Sequence, residues 1–148
     1  MCGHERLVRA FADVKDNCDS GQFMAIQKAG VAALADAAIP RAVRAKYRRR
    51  LEKLVAVLRR VGFDCRMPGG TYFLYAQSPR GAGARSFASA QEASQFLIHD
   101  LSVSTVPWDD CGAYLRFSVT YEAADEAAEN DLMAETLARL SGARLTFA

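Results

Sequence analysis

One arginine, Arg116, lies inside a run of residues that otherwise favours a β-strand. Its neighbours in residues 114–120 have aromatic, aliphatic or hydroxyl side chains. A guanidinium is costly to bury unless an anion meets its planar fork, and a carboxylate or phosphate accepts two hydrogen bonds from that fork. The pattern predicts either a clamp that positions an anionic ligand, or an edge-strand arginine that faces solvent or pairs with Asp109 or Glu122.

The other reactive side chains form no self-contained catalytic motif. The sequence contains no GxSxG, Walker-type, GxGxxG or HExxH pattern. His99 fits a surface or packing position in a helix better than a catalytic base. Asp109 and Asp110 are adjacent acids in a loop bounded by proline and glycine, where turn formation is the usual role. Lys15 and Lys28 lie in ordinary amphipathic helices rather than in the desolvated setting that activates a Schiff-base lysine.

The composition is that of a folded globular protein. The 148 residues are 51% hydrophobic and 24% charged, with 19 Lys+Arg against 17 Asp+Glu, a net charge of +2. This balance argues against a disordered chain and against a dedicated nucleic-acid binder. The most apolar stretch, residues 29–39, is shorter than a membrane span, and the N-terminus lacks the pattern of a signal peptide. We therefore expect a cytoplasmic protein that binds neither membranes nor nucleic acid.

Two further residue groups could suggest ligands. The four cysteines are widely spaced, with no CxxC pair, so we expect no metal site and mostly buried, reduced thiols. The basic run at residues 48–50 could contact nucleic acid, but a solvated face of an amphipathic helix explains it better given the balanced charge.

Hydrophobic periodicity predicts a mixed α/β fold. Three helices are expected first, over residues 5–16, 22–36 and 40–61. Strands follow at residues 63–67 and 71–77, then a loop at 79–85, a helix at 89–101 opened by a capping box, strands at 103–106 and 113–119, and a helix at 125–140. Residues 1–38 would be helices without a sheet, and residues 39–148 a compact unit of about four strands with helices packed on one face.

Three segments resemble class I/II aminotransferases, the fold-type I enzymes that depend on pyridoxal phosphate. They are VKDNCDSGQF at 14–23 with AIQ at 25–27, MPGGTYFLY at 67–75, and STVPWDDCGAYLRFS at 104–118. Their order and spacing agree with that family, most closely with its LL-diaminopimelate and aspartate aminotransferase-like branch. The likeness runs from residue 3 to about residue 140.

The resemblance assigns roles to some residues. It implies that Arg116 matches the arginine that binds the substrate α-carboxylate. It implies that the loop containing Asn17, Asp19 and Ser20 lies near the dimer interface and the partner's active site, although Asp19 and Ser20 could simply cap the next helix. It further implies that residues 1–38 belong to the large domain and residues 39–148 form the small C-terminal domain.

The resemblance also implies that this chain lacks the cofactor-binding residues of the family. In the family the Schiff-base lysine and the groups that bind pyridoxal phosphate lie upstream of this segment, and no residue here matches that lysine. We therefore expect the intact enzyme to use pyridoxal phosphate on an amino acid/2-oxo acid pair. The chain alone should bind no cofactor stably and be catalytically incomplete. The alternative is a non-enzymatic domain that self-associates as a homodimer or complements a partner chain.

Overall fold

A computed structural model of the chain describes residues 2–18 and 21–147. The chain divides into two compact units, Met1–Arg41 and Ala42–Ala148. Within the described residues, no helix is both long enough and apolar enough to cross a membrane.

The first unit contains two helices, α1 (Glu5–Cys18) and α2 (Met24–Ala35). Both were predicted from their periodicity, with α1 extending two residues further than expected. Neither helix buries any residue. The apolar side chains that gave the periodic pattern are exposed, and Leu34 retains 90% of its accessible surface.

A long helix, α3 (Ala38–Arg60), starts at the end of the first unit and continues into the second. Pro40 is its third residue, near the helix start, where a missing N–H leaves no hydrogen bond unmade. One stripe of the helix, including Leu51, Leu54 and Leu58, enters the core. Gly62 follows with a φ of +101°, and a Cβ at this position would lie 3.0 Å from the Phe147 ring. A glycine is therefore required for this C-terminal cap.

The second unit adds two helices and six strands. The helices are α4 (Ala90–Leu101) and α5 (Glu126–Gly142); the strands are β1 (Phe73–Gln77), β2 (Gly81–Ala82), β3 (Arg85–Ser86), β4 (Val106–Trp108), β5 (Tyr114–Ser118) and β6 (Leu145–Thr146). Ser89 caps α4 by accepting from the Glu92 amide at 3.2 Å, as the capping box predicted. Asp125 caps α5 in the same way.

The strands form two antiparallel sheets of three strands each, in the orders β1-β5-β4 and β3-β2-β6. The mixed α/β class is confirmed, but we expected about four strands. Residues 63–67 make only an isolated bridge, between Cys65 and Ala76, and residues 79–85 are not a simple loop, because they contain β2 and reach β3. Two-residue strands carry too little periodicity to be recognised in a sequence.

One face of the β1-β5-β4 sheet packs into the main core. Leu74 and Leu115 are almost fully buried on this face, together with Phe117. They join Leu58 of α3 and Leu97 of α4 in one cluster. Because strand side chains alternate between faces, the residues between them project to the opposite face of the sheet.

Candidate functional site

The opposite face of this sheet carries Arg116, and we call it the arginine face. Its members alternate with the buried residues of β1, β4 and β5: they are Phe73, Tyr75, Gln77, Val106, Trp108, Tyr114, Arg116 and Ser118. Four of the eight are aromatic, and Tyr75 and Tyr114 are exposed. A half-open, ring-lined surface with one cation is suited to binding a small organic anion.

Arg116 lies in the middle of the central strand. Its Cα is paired with Tyr75 of β1 on one side and with Val106 of β4 on the other. The expectation of an edge-strand arginine is therefore wrong. The side chain is partly buried, and its guanidinium carbon lies 4.3 Å from the centroid of the Phe73 ring.

The guanidinium of Arg116 has no hydrogen bond or ion pair with any residue that the structure describes. The ring of Phe73 supports the cation through its π-face and leaves the N–H donors available. Neither of the carboxylates considered from the sequence, Asp109 and Glu122, pairs with it. The arginine is thus held in place by packing while its donors remain open to a ligand.

An open cavity of about 480 Å³ lies next to the arginine face. Its lining includes Phe73, Tyr75 and Tyr114 from the face, and Arg66 and Pro68 from the segment before β1. Arg116 is not among the residues that line this cavity.

The acidic loop before β5 has a structural role. Asp109 accepts from the backbone amides of Ala90 at 2.7 Å and Gln91 at 3.0 Å, at the start of α4. A carboxylate at a helix N-terminus satisfies free amides and interacts well with the helix dipole. Trp108 lies in β4 rather than in the loop; its ring contacts that of Tyr75, and its buried Nε1 has no partner among the described residues.

Two of the other residues considered from the sequence, Asn17 and His99, lie in helices. Asn17 lies in the last turn of α1, where its side-chain amide donates to the Asp13 carbonyl at 2.7 Å. Asp19 and Ser20 lie outside the described residues. His99 is exposed and hydrogen-bonded to Gln95, which agrees with a surface role.

The prediction that the basic run at residues 48–50 forms a solvated helix face is wrong for Arg50. Arg48 is exposed, but Arg50 is only 3% exposed and bonds to Glu129, and Arg49 also bonds to Glu129. Hydrogen bonds from Arg49, Arg50 and Lys53 hold the pKa of Glu129 far below its usual range, despite burial that opposes the charge. The polar residue Glu129 on the buried side of a helix was the signal that could have located this cluster.

No metal or cofactor site is apparent among the described residues. Nowhere in this part of the chain do three His, Cys, Asp or Glu side chains cluster as metal ligands would. Only Cys65 is buried, whereas Cys2, Cys18 and Cys111 are exposed, so mostly buried thiols were a wrong expectation. The arginine face contains no lysine to anchor pyridoxal phosphate, and Lys53 is engaged by Glu129. These residues do not fit a pyridoxal phosphate site.

Comparison with known proteins decides the family. The sequence is 46% identical, over 155 aligned residues and 99% of this chain, to an LL-diaminopimelate aminotransferase of Methanocaldococcus jannaschii. It is 51% identical over 83% of this chain to the corresponding enzyme of Methanococcus maripaludis. The chain belongs to the fold-type I aminotransferase family. It matches the C-terminal part of such an enzyme and spans 37% and 30% of the length of these two relatives. No protein-family model matches it.

Several solved structures share the fold of this chain. The apo form of BacF from Bacillus subtilis superimposes with a TM-score of 0.78 and 22% identity, over 99% of this chain and 37% of that one. An aspartate aminotransferase from Rhizobium meliloti gives a TM-score of 0.76 and 23% identity, over 97% of this chain and 37% of that one. At this level of identity the agreement concerns the fold alone.

Proposed function

We propose that this chain supplies the substrate-carboxylate site of an aminotransferase, with Arg116 binding the α-carboxylate of the amino acid and of the 2-oxo acid. Support comes from the Arg116 guanidinium, which lies in a central strand, packs on Phe73 at 4.3 Å and has no anionic partner among the described residues. A planar fork held this way can donate two parallel hydrogen bonds to a carboxylate. The residue positions the substrate and takes no part in proton transfer.

The surrounding rings would act on the rest of the ligand. Phe73 and Tyr75 limit the directions from which a carboxylate can approach Arg116, and they exclude part of its water. Partial exclusion of water strengthens a charge-assisted hydrogen bond. Arg116 recognises a group that all amino acids share, so it does not choose among them. The relatives' name makes LL-diaminopimelate the first substrate to test with the whole enzyme.

Carboxylate binding can be measured directly on the chain. A suitable probe is 4-methylpentanoate, a monocarboxylate with an apolar tail, titrated while the backbone amide resonances of β1 and β5, which every variant retains, are followed by NMR. We expect a saturable shift in the unmodified chain. Arg116→Met should weaken binding at least about tenfold, and Arg116→Lys should weaken it less, because lysine keeps the charge but lacks the fork.

A matched control is Arg60→Met, which removes an exposed arginine from the end of α3. It should leave the affinity for 4-methylpentanoate unchanged. Equal losses in the Arg60 and Arg116 variants would show that only net charge matters, and would contradict the proposal.

We also propose that pyridoxal phosphate serves the intact enzyme but is not held as a stable lysine adduct by this chain. The cofactor, when bound in such an enzyme, supplies the electron sink for amino-group transfer. The absence of lysine from the arginine face supports the proposal for this chain. Absorbance with added pyridoxal phosphate, before and after borohydride reduction, provides the test. A stable adduct together with amino-group turnover would contradict it.

Association of the chain is a second candidate function. The apolar side chains of α1 and α2 are exposed, including Phe11, Ile26 and Leu34. Contiguous exposed apolar surface favours contact with another protein surface. We propose a homodimer that involves residues 1–41, including Asn17, Asp19 and Ser20. Sedimentation velocity of the chain would give a dimer that Leu34→Ser weakens, whereas a monomer at all concentrations would exclude self-association.

A further inference from the structure

A buried group of charges connects α3 with α5. Glu129 of α5 is 1% exposed and accepts hydrogen bonds from Arg50 Nε at 2.7 Å, from Arg49 Nε and Nη2 at 3.0 Å each, and from Lys53 Nζ at 3.1 Å. We call Arg49, Arg50, Lys53 and Glu129 the Glu129 cluster. All three cations therefore converge on one carboxylate, which fixes its position.

The cluster reaches the strand that carries Arg116 through Arg50. Arg50 Nη1 donates to the carbonyl of Val119 at 3.2 Å and to that of Tyr121 at 2.6 Å. Val119 directly follows the last residue of β5, and Tyr121 lies two residues further on. The guanidinium carbon of Arg50 also lies 4.4 Å from the centroid of the Tyr121 ring. Since Glu129 holds one edge of the guanidinium and the carbonyls hold the other, Glu129 determines the orientation in which Arg50 holds the strand end.

The backbone amide of Val119 also forms a hydrogen bond, to the segment before β1. It donates to the Tyr72 carbonyl at 3.1 Å, immediately before β1. Arg116 lies three residues earlier in the chain, about 10 Å away at the rise of a β-strand. A shift at Val119 would therefore move Arg116 relative to Phe73, the ring on which its guanidinium rests.

We propose that Arg50 and Glu129 are positioning residues for Arg116: they hold the end of β5 so that its guanidinium is presented on the arginine face. This inference rests on the proposed carboxylate-binding function. A buried ion pair is seldom the most stabilising choice for a site that apolar residues could fill. Here it provides a directional hold on two backbone carbonyls, which an apolar pair cannot give.

The test uses the full chain and the 4-methylpentanoate titration. Glu129→Gln should weaken binding about threefold to tenfold, the usual range for residues that act through a neighbour. Arg50→Lys retains a charge for Glu129 but loses the fork that reaches Val119 and Tyr121, and should weaken binding similarly. Glu126→Gln is the matched control: Glu126 is exposed at the edge of the same cluster, and its loss should leave the affinity unchanged.

A variant could bind less well because the whole domain is destabilised rather than because Arg116 is displaced, and controls separate the two effects. Val57→Ala should destabilise the core from α3 while removing none of the charged side chains of the cluster, and at a temperature where it is folded it should bind 4-methylpentanoate normally. Hydrogen exchange gives a second readout: Glu129→Gln should accelerate exchange of the Val119 amide more than that of Phe96 in α4. Equal acceleration at both amides would indicate a structural role only and would overturn the proposal.

The NMR signal of Arg116 separates this inference from the carboxylate proposal. If the unmodified chain does not bind 4-methylpentanoate, the proposed function fails. The Arg116 Nε–Hε resonance still decides the positioning role, because it should shift in Glu129→Gln and in Arg50→Lys without any ligand. An unchanged resonance in both folded variants would overturn the positioning role.

Discussion

The two units of this chain make opposite use of similar helices. In the first unit, α1 and α2 place their apolar side chains in solvent, and Leu34 is 90% exposed. In the second unit, α3 and α4 bury theirs, and Leu58 and Leu97 are 0% exposed. Apolar residues recur at helical spacing in both units, so the pattern predicts a helix in both places. Whether that face is covered depends on which elements are present to pack on it.

The largest expected effect contrasts a buried leucine with an exposed one. Leu97→Ala should lower the free energy of unfolding of the second unit by about 3–4 kcal/mol, because it removes buried methyl groups and leaves a cavity. Leu34→Ala should change it by less than about 0.5 kcal/mol. Urea unfolding followed by circular dichroism measures both. Similar losses in the two variants would mean that the first unit is buried in solution, and the contrast between the units would fail.

The next largest effect concerns the buried ion pair of the second unit, Arg50 with Glu129. Glu129→Gln should cost about 3 kcal/mol at pH 7, because it leaves Arg50 buried without its carboxylate. The native pKa of Glu129 is lowered, so this contribution is complete above the unfolded pKa of about 4.3 and is lost as the pH falls from there towards the native value.

The lowered pKa of Glu129 also predicts how the free energy of unfolding depends on pH. Below pH 4.3 the stability difference between the unmodified chain and Glu129→Gln should shrink by about 1.4 kcal/mol per pH unit. Urea titrations between pH 3 and pH 7 test it, with Glu126→Gln as the control for general acid effects. A difference that stays constant over this range would contradict the lowered pKa of Glu129.

A smaller effect is expected at the start of α4. Asp109→Ala should destabilise the second unit by about 1 kcal/mol, since the Ala90 and Gln91 amides lose their acceptor. Asp110→Ala, in the same loop, should have little effect. Thermal unfolding of both variants compares them, and an equal loss would show that the loop needs both acids.

The smallest effect on stability is expected at Arg116. Its donors have no partner among the described residues, so Arg116→Met should change the free energy of unfolding by about 0.5 kcal/mol or less. The same variant should lose carboxylate binding, as stated above. A large loss of stability would instead show that the guanidinium has a structural partner in solution.

Much of the helical framework was predictable from local signals. The capping box at Ser89 located the start of α4, and Gly62 located the end of α3. The second sheet was not predictable, because β2 and β6 pair over more than sixty residues and each is two residues long. Such pairing depends on contacts between distant segments rather than on local preference.

The candidate site was predicted in part. An arginine among strand residues marked position 116, and its central place in the sheet required the register with β1 and β4. Arg50 was missed because a run of three arginines predicts exposure. Its burial depends on an ion pair with Glu129, which lies 79 residues further along the chain.

By itself the sequence determined the helices, their caps, the strands β1 and β5 and the one arginine that suggests a function. These features arise from side-chain periodicity and from hydrogen bonds between near neighbours, which the order of residues specifies directly. The tertiary structure decided the pairing of the short strands, the burial of Arg50 with Glu129, and the open donors of Arg116. Burial and strand pairing depend on contacts between residues that are distant in the sequence. A charged side chain is buried only where a residue of opposite charge or a hydrogen-bond acceptor is buried beside it.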